Sequence, residues 1–382
     1  MTSIIKALRP LASAAMFYYA TLWLVALVVV GTVAQKYFGL QASLEKYFSA
    51  WFIQPLDMPL YLPSGRFTMA VILMGLIAKM AFSTKWKIKM IGINITHFGV
   101  LVLLLGGVLT AYTSTEGNIA IKEGQESSTF SDFHAVEIAV TDRSPADYDQ
   151  ITTFTDGFFS DEQSFTDAAV PFTFKVNHFF KNCEIVERPS SDYQLPLRDR
   201  ATKLQLKEKP SDKDDRNLGG VEIVVSGASE DDNGIYLLLN HPQWGSSTIQ
   251  GKDGKNYALN LRFRHYELPF SIHLKDFEKL DHAGTSMARA YSSKVTVKEG
   301  ASSYDTKIYM NHPLRSDGYT LYQADFDQRG ANETSVFQVV YNKGRYIPYI
   351  AVLIVGLGLL IHIIIQIPRL LVATSTRKKS AN

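Results

Sequence analysis

Long uncharged runs separate the two ends of the chain from its middle. No charged residue occurs over residues 10–35, 90–115 or 346–368, and each run exceeds the roughly 20 residues that a helix needs to cross about 30 Å of hydrocarbon. A shorter run, 67–78, becomes long enough if Lys79 extends its ammonium towards the headgroups and the helix continues to about Thr84. The pattern predicts four transmembrane spans, at about residues 11–34, 67–84, 91–112 and 346–371. We expect the first to be a retained anchor, because its run is longer than the apolar region of a typical signal peptide.

Between the third and fourth spans the pattern changes to short alternating or β-branched runs, separated by turns such as Asp-Asn-Gly and Lys-Asp-Gly. The runs are residues 133–140, 172–178, 204–207, 221–225, 235–239, 257–263, 294–298, 307–310, 319–323 and 335–341. They predict an antiparallel sandwich or barrel-like domain over residues 113–345. The acid-rich stretches 141–168 and 208–218 have few aliphatic residues and are predicted to be loops.

The predicted fold class is therefore an α+β membrane protein: a four-span transmembrane helix bundle with a large exported antiparallel all-β domain inserted between spans 3 and 4. Residues 1–112 form the first part of the membrane domain, residues 346–371 form its last span, and residues 372–382 form a basic tail.

The charges are divided in the same way as the hydropathy. Residues 113–346 contain 26 basic and 35 acidic residues, a net charge of −9, whereas the rest contains 13 basic and 2 acidic residues, a net charge of +11. Ten of those 13 basic residues fall in three clusters without acids: Lys6 and Arg9; Lys79, Lys85, Lys87 and Lys89; and Arg369, Arg377, Lys378 and Lys379.

Basic clusters beside spans lie on the cytoplasmic side. We therefore expect an inner-membrane protein, in contact with the lipid bilayer, that has both termini in the cytoplasm and the acidic β domain outside. An acidic folded domain also argues against a nucleic-acid partner.

The predicted outer loop between the first two spans contains an apolar stripe. Its residues recur at helical spacing, with polar residues on the other face: Leu40, Leu44, Tyr47, Phe48, Trp51 and Phe52. This predicts an amphipathic helix at about residues 40–53, lying in the membrane interface. Two roles stay open, a brace at the membrane surface and a wall that shields an apolar cofactor.

Two histidines lie deep in the predicted spans, where an ionisable side chain is costly and marks a candidate functional site. His97 is about 7 residues, roughly 10 Å, from the inner end of the third span, and His362 is at a similar depth in the fourth. Two imidazoles at one depth on antiparallel helices can ligate the iron of a b-type haem. Gly358, one turn from His362, would leave room for the porphyrin edge. The alternative is that each histidine hydrogen-bonds a neighbouring helix through polar groups such as Asn94 or Thr96.

The outer domain shows no recognisable catalytic motif, and we assign no catalytic residue. The single cysteine, Cys183, excludes an internal disulfide. The absence of a Cys-x-x-Cys-His motif means that the chain carries no covalent c-type haem of its own.

Several stretches carry a family resemblance. They are Ala290-Tyr-Ser-Ser-Lys-Val-Thr-Val, Ile308-Tyr-Met-Asn-His-Pro-Leu-Arg, Gly318-Tyr-Thr-Leu-Tyr-Gln-Ala-Asp-Phe and Ser335-Val-Phe-Gln-Val-Val-Tyr-Asn-Lys-Gly, with Asn94-Ile-Thr-His-Phe-Gly-Val in the third span and the loop that contains Trp51. Together they resemble the ResB-like cytochrome c biogenesis proteins, the membrane subunits of the System II haem-handling and cytochrome c synthase complex.

The resemblance implies that His97 takes part in holding haem in the membrane, while His362 has no counterpart in the family pattern. It also implies a ResC/CcsA-like synthase partner with a tryptophan-rich loop. This chain has four tryptophans, none of them in a Trp-x-Trp cluster, so it is expected to need that partner.

The leading hypothesis is thus a subunit, expected to be non-catalytic, that binds non-covalent haem b in the membrane and helps to deliver it for attachment to exported apocytochrome c. Two alternatives remain: a b-type cytochrome that transfers electrons through a bis-histidine haem between His97 and His362, and a haem-free membrane scaffold that docks client proteins.

Overall fold

The computed structural model describes residues 10–54, 59–85, 87–145, 147–159, 163–189, 195–210, 217–328 and 333–379. The predicted basic residues Lys6 and Arg9 and the last three residues of the predicted tail lie outside them. The chain divides into a helical unit, residues 1–114 and 342–382, and a β unit, residues 115–341.

Five α-helices make up the described helical unit, four of them long and one short: α1 Ala14–Phe38, α2 Leu40–Leu44, α3 Gly65–Ala78, α4 Ile91–Thr113 and α5 Ile347–Lys379. Helix α3 continues into a π-helical turn, Lys79–Ser83, which brings its apolar length to 18 residues. All four long helices are long and apolar enough to cross a membrane. The predicted fold class, four apolar helices flanking a large antiparallel β region, is confirmed.

Helices α4 and α5 pack closely along a stripe of glycines spaced seven residues apart. A methyl group on Gly92 would lie 2.5 Å from the backbone nitrogen of His362, and one on Gly99 would lie 2.9 Å from that of Val355. Gly106 meets Ile347 in the same way. Since residue numbers rise on one helix as they fall on the other, the pair is antiparallel, and the missing side chains let the backbones approach.

The loop between α1 and α3 folds back onto both helices. The ring of Phe48 fills the space beside Gly31 and Gly65, where an added methyl group would lie 2.7 and 2.9 Å from it. The indole nitrogen of Trp23 donates a hydrogen bond of 2.8 Å to the carbonyl oxygen of Pro63. The predicted helix 40–53 is shorter than expected: α2 and a π-helical turn, Glu45–Ser49, end at Ala50.

Beyond Ala50 the backbone is extended and forms a two-stranded ladder between β1 Phe52–Ile53 and β2 Leu62–Pro63. The hydrogen bond from the Ser64 backbone N–H to the carbonyl oxygen of Trp51 closes this ladder at the start of α3. Pairing with β2 satisfies backbone groups that a continued surface helix would have satisfied internally.

The β unit contains sixteen antiparallel strands in its described residues: β3 Thr115–Lys122, β4 Glu126–Asp142, β5 Gln150–Thr155, β6 Ser164–Asp167, β7 Val170–Phe180, β8 Cys183–Glu187, β9 Leu204–Glu208, β10 Gly220–Ser226, β11 Gly234–Leu239, β12 Ser247–Gln250, β13 Asn256–Asp281, β14 Ala288–Glu299, β15 Ser302–Tyr309, β16 Leu314–Ser316, β17 Tyr319–Asp327 and β18 Thr334–Tyr341. Every predicted strand falls within one of them, except that Met310 lies just beyond the end of β15.

Two large cores and a smaller cluster of Ala201, Ile235 and Leu237 fill the described part of this unit. In the first, residues such as Ile138, Val176 and Leu259 lie between the sheet β11-β10-β7-β6 and the part of the large sheet formed by β4, β5, β12 and the start of β13. In the second, Phe130 and Phe337 lie inside the remainder of the large sheet, β15-β14-β13-β4-β3-β18-β17-β16. The two end strands of that sheet, β15 and β16, are joined by a short turn in which Tyr309 pairs with His312, and they contact each other.

The two cores share strands β4 and β13, which bend as they pass from one to the other. The pairing register shifts between Phe263 and His265 and again between Glu267 and Ile272. Pro269 lies inside the second shift, and because proline has no N–H to donate, it is tolerated where the ladder is already broken.

The prediction that residues 141–168 form a loop was wrong in part, because β5 and β6 lie within them. Strand β5 pairs with the end of β4, and Phe154 and Phe165 pack into the first core. In each of these two strands one phenylalanine contacts the core, while polar residues such as Gln150 and Asp167 stay exposed.

Candidate functional site

His97 on α4 lies at a cavity of about 320 Å³ in the helical unit. The walls come from the start of α1, from α3 with its π-helical turn, and from α4: Leu11, Ala12, Ser13, Ala14, Met16, Phe17, Ile72, Gly75, Leu76, Lys79, His97 and Val100. Small-molecule sites are usually apolar cavities of about 300–1,000 Å³ with a few polar groups that orient the ligand. This cavity has that character.

Close contacts fix the walls of the cavity. A methyl group on Gly75 would lie 2.5 Å from the terminal carbon of Met16 and 2.7 Å from the carbonyl oxygen of Leu11. The hydroxyl oxygen of Ser13 caps α1 by accepting a hydrogen bond of 3.2 Å from the backbone N–H of Met16. The first turn of α1 is therefore held against α3 beside His97.

Lys79 is the lysine of the cavity wall, and sequence reasoning treated it only as a cation that extends towards the headgroups and as a marker of topology. It is half-buried and stands where α3 passes into the π-helical turn. It lies near enough to His97 for the two side chains to interact electrostatically. Spacing along the sequence gave no signal for this pairing, since Lys79 and His97 belong to different helices.

His362 lies elsewhere. It packs against Gly92 on the face of α5 that meets α4, and it is not among the residues that line the cavity. Its ring nitrogen Nδ1 is buried and has no hydrogen-bond partner in the described residues.

The helix pairing also offsets the two histidines. His362 is level with Gly92, and His97 stands five residues further along α4, about 7 Å at 1.5 Å per residue and roughly 140° around the helix. The equal depth inferred from the sequence becomes a difference of more than one turn. The structure does not bring the two imidazoles face to face within one chain, so a bis-histidine site between them has no support from the geometry.

Gly358 faces α4 rather than open space. A methyl group there would lie 2.6 Å from the backbone nitrogen of Thr96 and 2.8 Å from the carbonyl oxygen of Gly92. The room expected for a porphyrin edge is therefore taken by the neighbouring helix, and the glycine serves close helix packing.

The alternative of simple hydrogen bonds to the histidines is not seen either. The side-chain amide of Asn94 donates to the carbonyl oxygen of Lys85 at 3.2 Å, and the hydroxyl of Thr96 donates to that of Gly92 at 3.1 Å. Neither group is bonded to His97 or His362. Asn94 instead holds the lysine-rich segment against the start of α4.

Comparisons with known proteins show which family part of this chain resembles. Residues 243–344, which include strands β12 to β18, match the model of the ResB-like family. The chain is therefore similar to the ResB-like family in this region. The matched residues contribute most of the second β core, so the family match lies in the β unit and the candidate cavity in the helical unit.

Two curated relatives extend the comparison. The chain is 23% identical over 294 residues to "Protein NrfI" of Wolinella succinogenes, an alignment that covers 75% of the chain and 28% of that protein. It is 31% identical over 96 residues to "Cytochrome c biogenesis protein CcsB" of a Synechococcus strain, covering 24% of the chain and 22% of that protein. The aligned parts thus span about a quarter of the length of these relatives.

The residues of the cavity are chemically suited to haem. An imidazole can ligate iron as a neutral ligand, apolar walls suit the macrocycle, and an ammonium can pair with its carboxylates. A cysteine or carboxylate ligand would bring a negative charge into the membrane, whereas histidine does not. The donor set and the apolar lining therefore fit a non-covalent b-type haem.

Proposed function

We propose that this ResB-like protein is the membrane subunit of a cytochrome c maturation system, which holds haem non-covalently at His97 and helps to deliver it to a synthase partner for attachment to exported apocytochrome c. The observation that carries the proposal is the cavity beside α4, in which His97 offers a neutral nitrogen ligand among apolar walls. The family match and the name of the CcsB relative support the same process.

The role of this chain is to bind and orient haem. His97 would hold haem by ligating its iron, and residues at the start of α1 and on α3 form the walls of the cavity. Haem, when bound, would supply the vinyl groups that receive the thiols of the apocytochrome. Because His362 is offset from His97 and packed against Gly92, a further ligand would have to come from a partner, such as the expected ResC/CcsA-like chain with its tryptophan-rich loop.

Cys183 does not take part in thiol chemistry. It is buried, an added methyl group on Gly220 would lie 2.7 Å from its sulfur, and burial raises the pKa of its thiol to about 11. A thiol that stays protonated is a poor nucleophile. The chain is accordingly a non-catalytic subunit, and the attachment step belongs to the partner.

The proposed placement is in the inner membrane, with both termini and the lysine-rich segment that contains Lys85, Lys87 and Lys89 in the cytoplasm. The four apolar helices support a multi-pass membrane protein. The separation of +11 and −9 supports the direction, since the acidic β unit would lie outside.

The test uses the full chain with its partner. His97→Gly is expected to lose bound haem, measured as the pyridine haemochrome of the purified protein, and to abolish maturation of a reporter cytochrome c. Added imidazole should restore both, because it can occupy the ligand position. The control is His282→Ala, an exposed histidine of the β unit, which should keep both.

Retention of haem and maturation by His97→Gly would overturn the proposal. Stoichiometric haem that is reversibly reduced in the chain alone, together with normal maturation after deletion of its gene, would instead identify an electron-transfer b-type cytochrome. Normal maturation without any haem in the wild-type protein would identify a scaffold that docks client proteins.

A further inference from the structure

Lys79 occupies an unusual position for a surface cation. It lies where α3 gives way to a π-helical turn, and π-helical turns are rare and occur frequently at functional sites. The turn ends at Ser83, and Thr84, whose hydroxyl donates to the carbonyl oxygen of Lys79 at 3.0 Å, is already extended. This local geometry holds Lys79 at the wall of the cavity.

The ammonium has no anionic partner in the described part of the chain. Among the described residues of the helical unit the acid is Glu45, which lies in the loop that packs against the opposite end of α3. No carboxylate of the described residues lies within ion-pair distance of Lys79. The other cations nearby in sequence, Lys85 and Lys87, are exposed and do not line the cavity.

A half-buried cation without a counterion is costly, and the cost falls when an anionic oxygen binds beside it. Two sources supply such an oxygen at this depth: a carboxylate on the ligand held by His97, or the phosphate of a lipid headgroup. The cavity favours the ligand, because Lys79 and His97 line the same space. One ligand that couples an apolar body to a carboxylate would satisfy both side chains.

We propose that Lys79 is a specificity-determining residue of the His97 cavity and binds a propionate carboxylate of haem through its ammonium. The inference rests on the proposed function and deepens it. The carboxylate edge of the ligand then lies on the side of the cavity where α3 ends. The site is expected to bind porphyrins with free carboxylates more tightly than the same porphyrins without them.

The experiment compares two probes on the purified full chain: haem, and haem dimethyl ester, whose carboxylates are neutralised. Wild type is expected to bind haem about tenfold more tightly than the ester, the order expected for one charge-assisted hydrogen bond. Lys79→Ala should lose this preference by weakening haem alone, and Lys79→Arg should keep most of it. Lys87→Ala, an exposed lysine of the same segment, is the matched control and should behave as wild type.

Titrations are run in a detergent without phosphate and again in nanodiscs with and without anionic lipid. A loss of preference in Lys79→Ala under both conditions supports a ligand carboxylate. If Lys79→Ala changes affinity only where anionic lipid is present, and equally for haem and ester, the lysine binds lipid phosphate and the inference is wrong.

The two proposals fail separately. If wild type binds neither probe, or if His97→Ala leaves the haem spectrum and affinity unchanged, the proposed haem site itself is wrong. If wild type binds both probes through His97 with equal affinity, the haem site stands and the role of Lys79 is overturned. A change in the Soret spectrum of His97→Ala, but not of Lys79→Ala, separates an iron ligand from a carboxylate-binding residue.

Discussion

The surroundings of individual side chains decide which of them are accessible to react. A cysteine thiol and a histidine imidazole can both bind metals or react, yet Cys183 is enclosed beside Gly220, whereas His97 lines a cavity. The same burial that stabilises a thiol in the protonated form makes it unavailable to oxidants and clients.

Cys183 should not react with a maleimide or an aromatic disulfide at pH 7.5 in the native protein, because its thiol is buried and burial raises its pKa to about 11. One equivalent should react after denaturation, measured by mass spectrometry. Rapid labelling of the native protein would show that the thiol is accessible and would reopen a redox role.

Asp142, at the end of β4, predicts an acid dependence of stability. Hydrogen bonds from Ser144 and then from Lys255, whose ammonium is 2.9 Å away, lower the pKa of its carboxyl from 3.8 to about 2. A lowered folded-state pKa contributes stability that is complete above the ordinary value and is lost as the pH falls from about 4 towards 2. The melting temperature of the β unit, followed by tryptophan fluorescence of the full chain, should decline over that window.

Asp142→Asn should remove this part of the decline, because an asparagine side chain does not take up a proton in this pH range. Asp231→Asn, an exposed acid of the same unit, should leave the curve unchanged. The same slope in wild type and Asp142→Asn would place the acid sensitivity at other carboxylates.

At the scale of elements, the α4–α5 pair depends on backbone approach. Three glycines at intervals of seven residues present a narrow stripe to α5, and the contacts they make are with backbone atoms as well as side chains. Backbone atoms cannot rotate away from an added methyl group as a flexible side chain can. Position 92 is thus the least tolerant of the stripe, since its neighbours are the backbone nitrogen and Cα of His362 and the carbonyl oxygen of Gly358.

Gly92→Ala should destabilise the helical unit by about 1–3 kcal/mol, the usual cost of overpacking, measured as the midpoint of unfolding in mixed detergent. Gly107→Ala is the matched control, because nothing lies within 4 Å of the added methyl group, and it should be neutral or stabilise by up to about 1 kcal/mol through helix propensity. Equal effects of the two changes would mean that α4 and α5 are not in backbone contact there.

At the scale of the whole molecule, the charge distribution predicts on which side of a membrane each segment lies. The lysines at positions 85, 87 and 89 follow α3, whereas the β unit is inserted between α4 and α5. One helix, α4, separates these two segments along the chain, so a single crossing puts them on opposite sides.

In a Cys183→Ala background, Asp231→Cys should be labelled by a membrane-impermeant maleimide in intact spheroplasts. Lys87→Cys should be labelled only after permeabilisation. The reverse pattern would invert the proposed topology, and labelling of both in intact cells would show that α4 does not cross the membrane.

Much of the fold was predictable because it depends on local pattern. Uncharged runs of more than about 20 residues have few alternatives to membrane helices, and alternation gave the strands of both cores. The acid-rich segment at 150–167 was misjudged because its strands are short, and the pairing with β4 that stabilises β5 is not encoded within it. The outer-loop helix was overextended for a similar reason: residues 52 and 53 pair with 62 and 63 instead.

The sequence by itself determined the four apolar helices, the division of charge and the identity of His97 as a candidate ligand, since each depends on composition or on spacing along one element. Only the tertiary structure decided which face of α4 meets α5, and therefore that His97 shares a cavity with Lys79 while His362 and Gly358 pack against Gly92 and Thr96. The physical reason is that the depth of a residue along a helix can be counted from the ends of that helix. The rotation and register of one helix against another depend instead on the residues at their contact, which on α4 are mainly glycines.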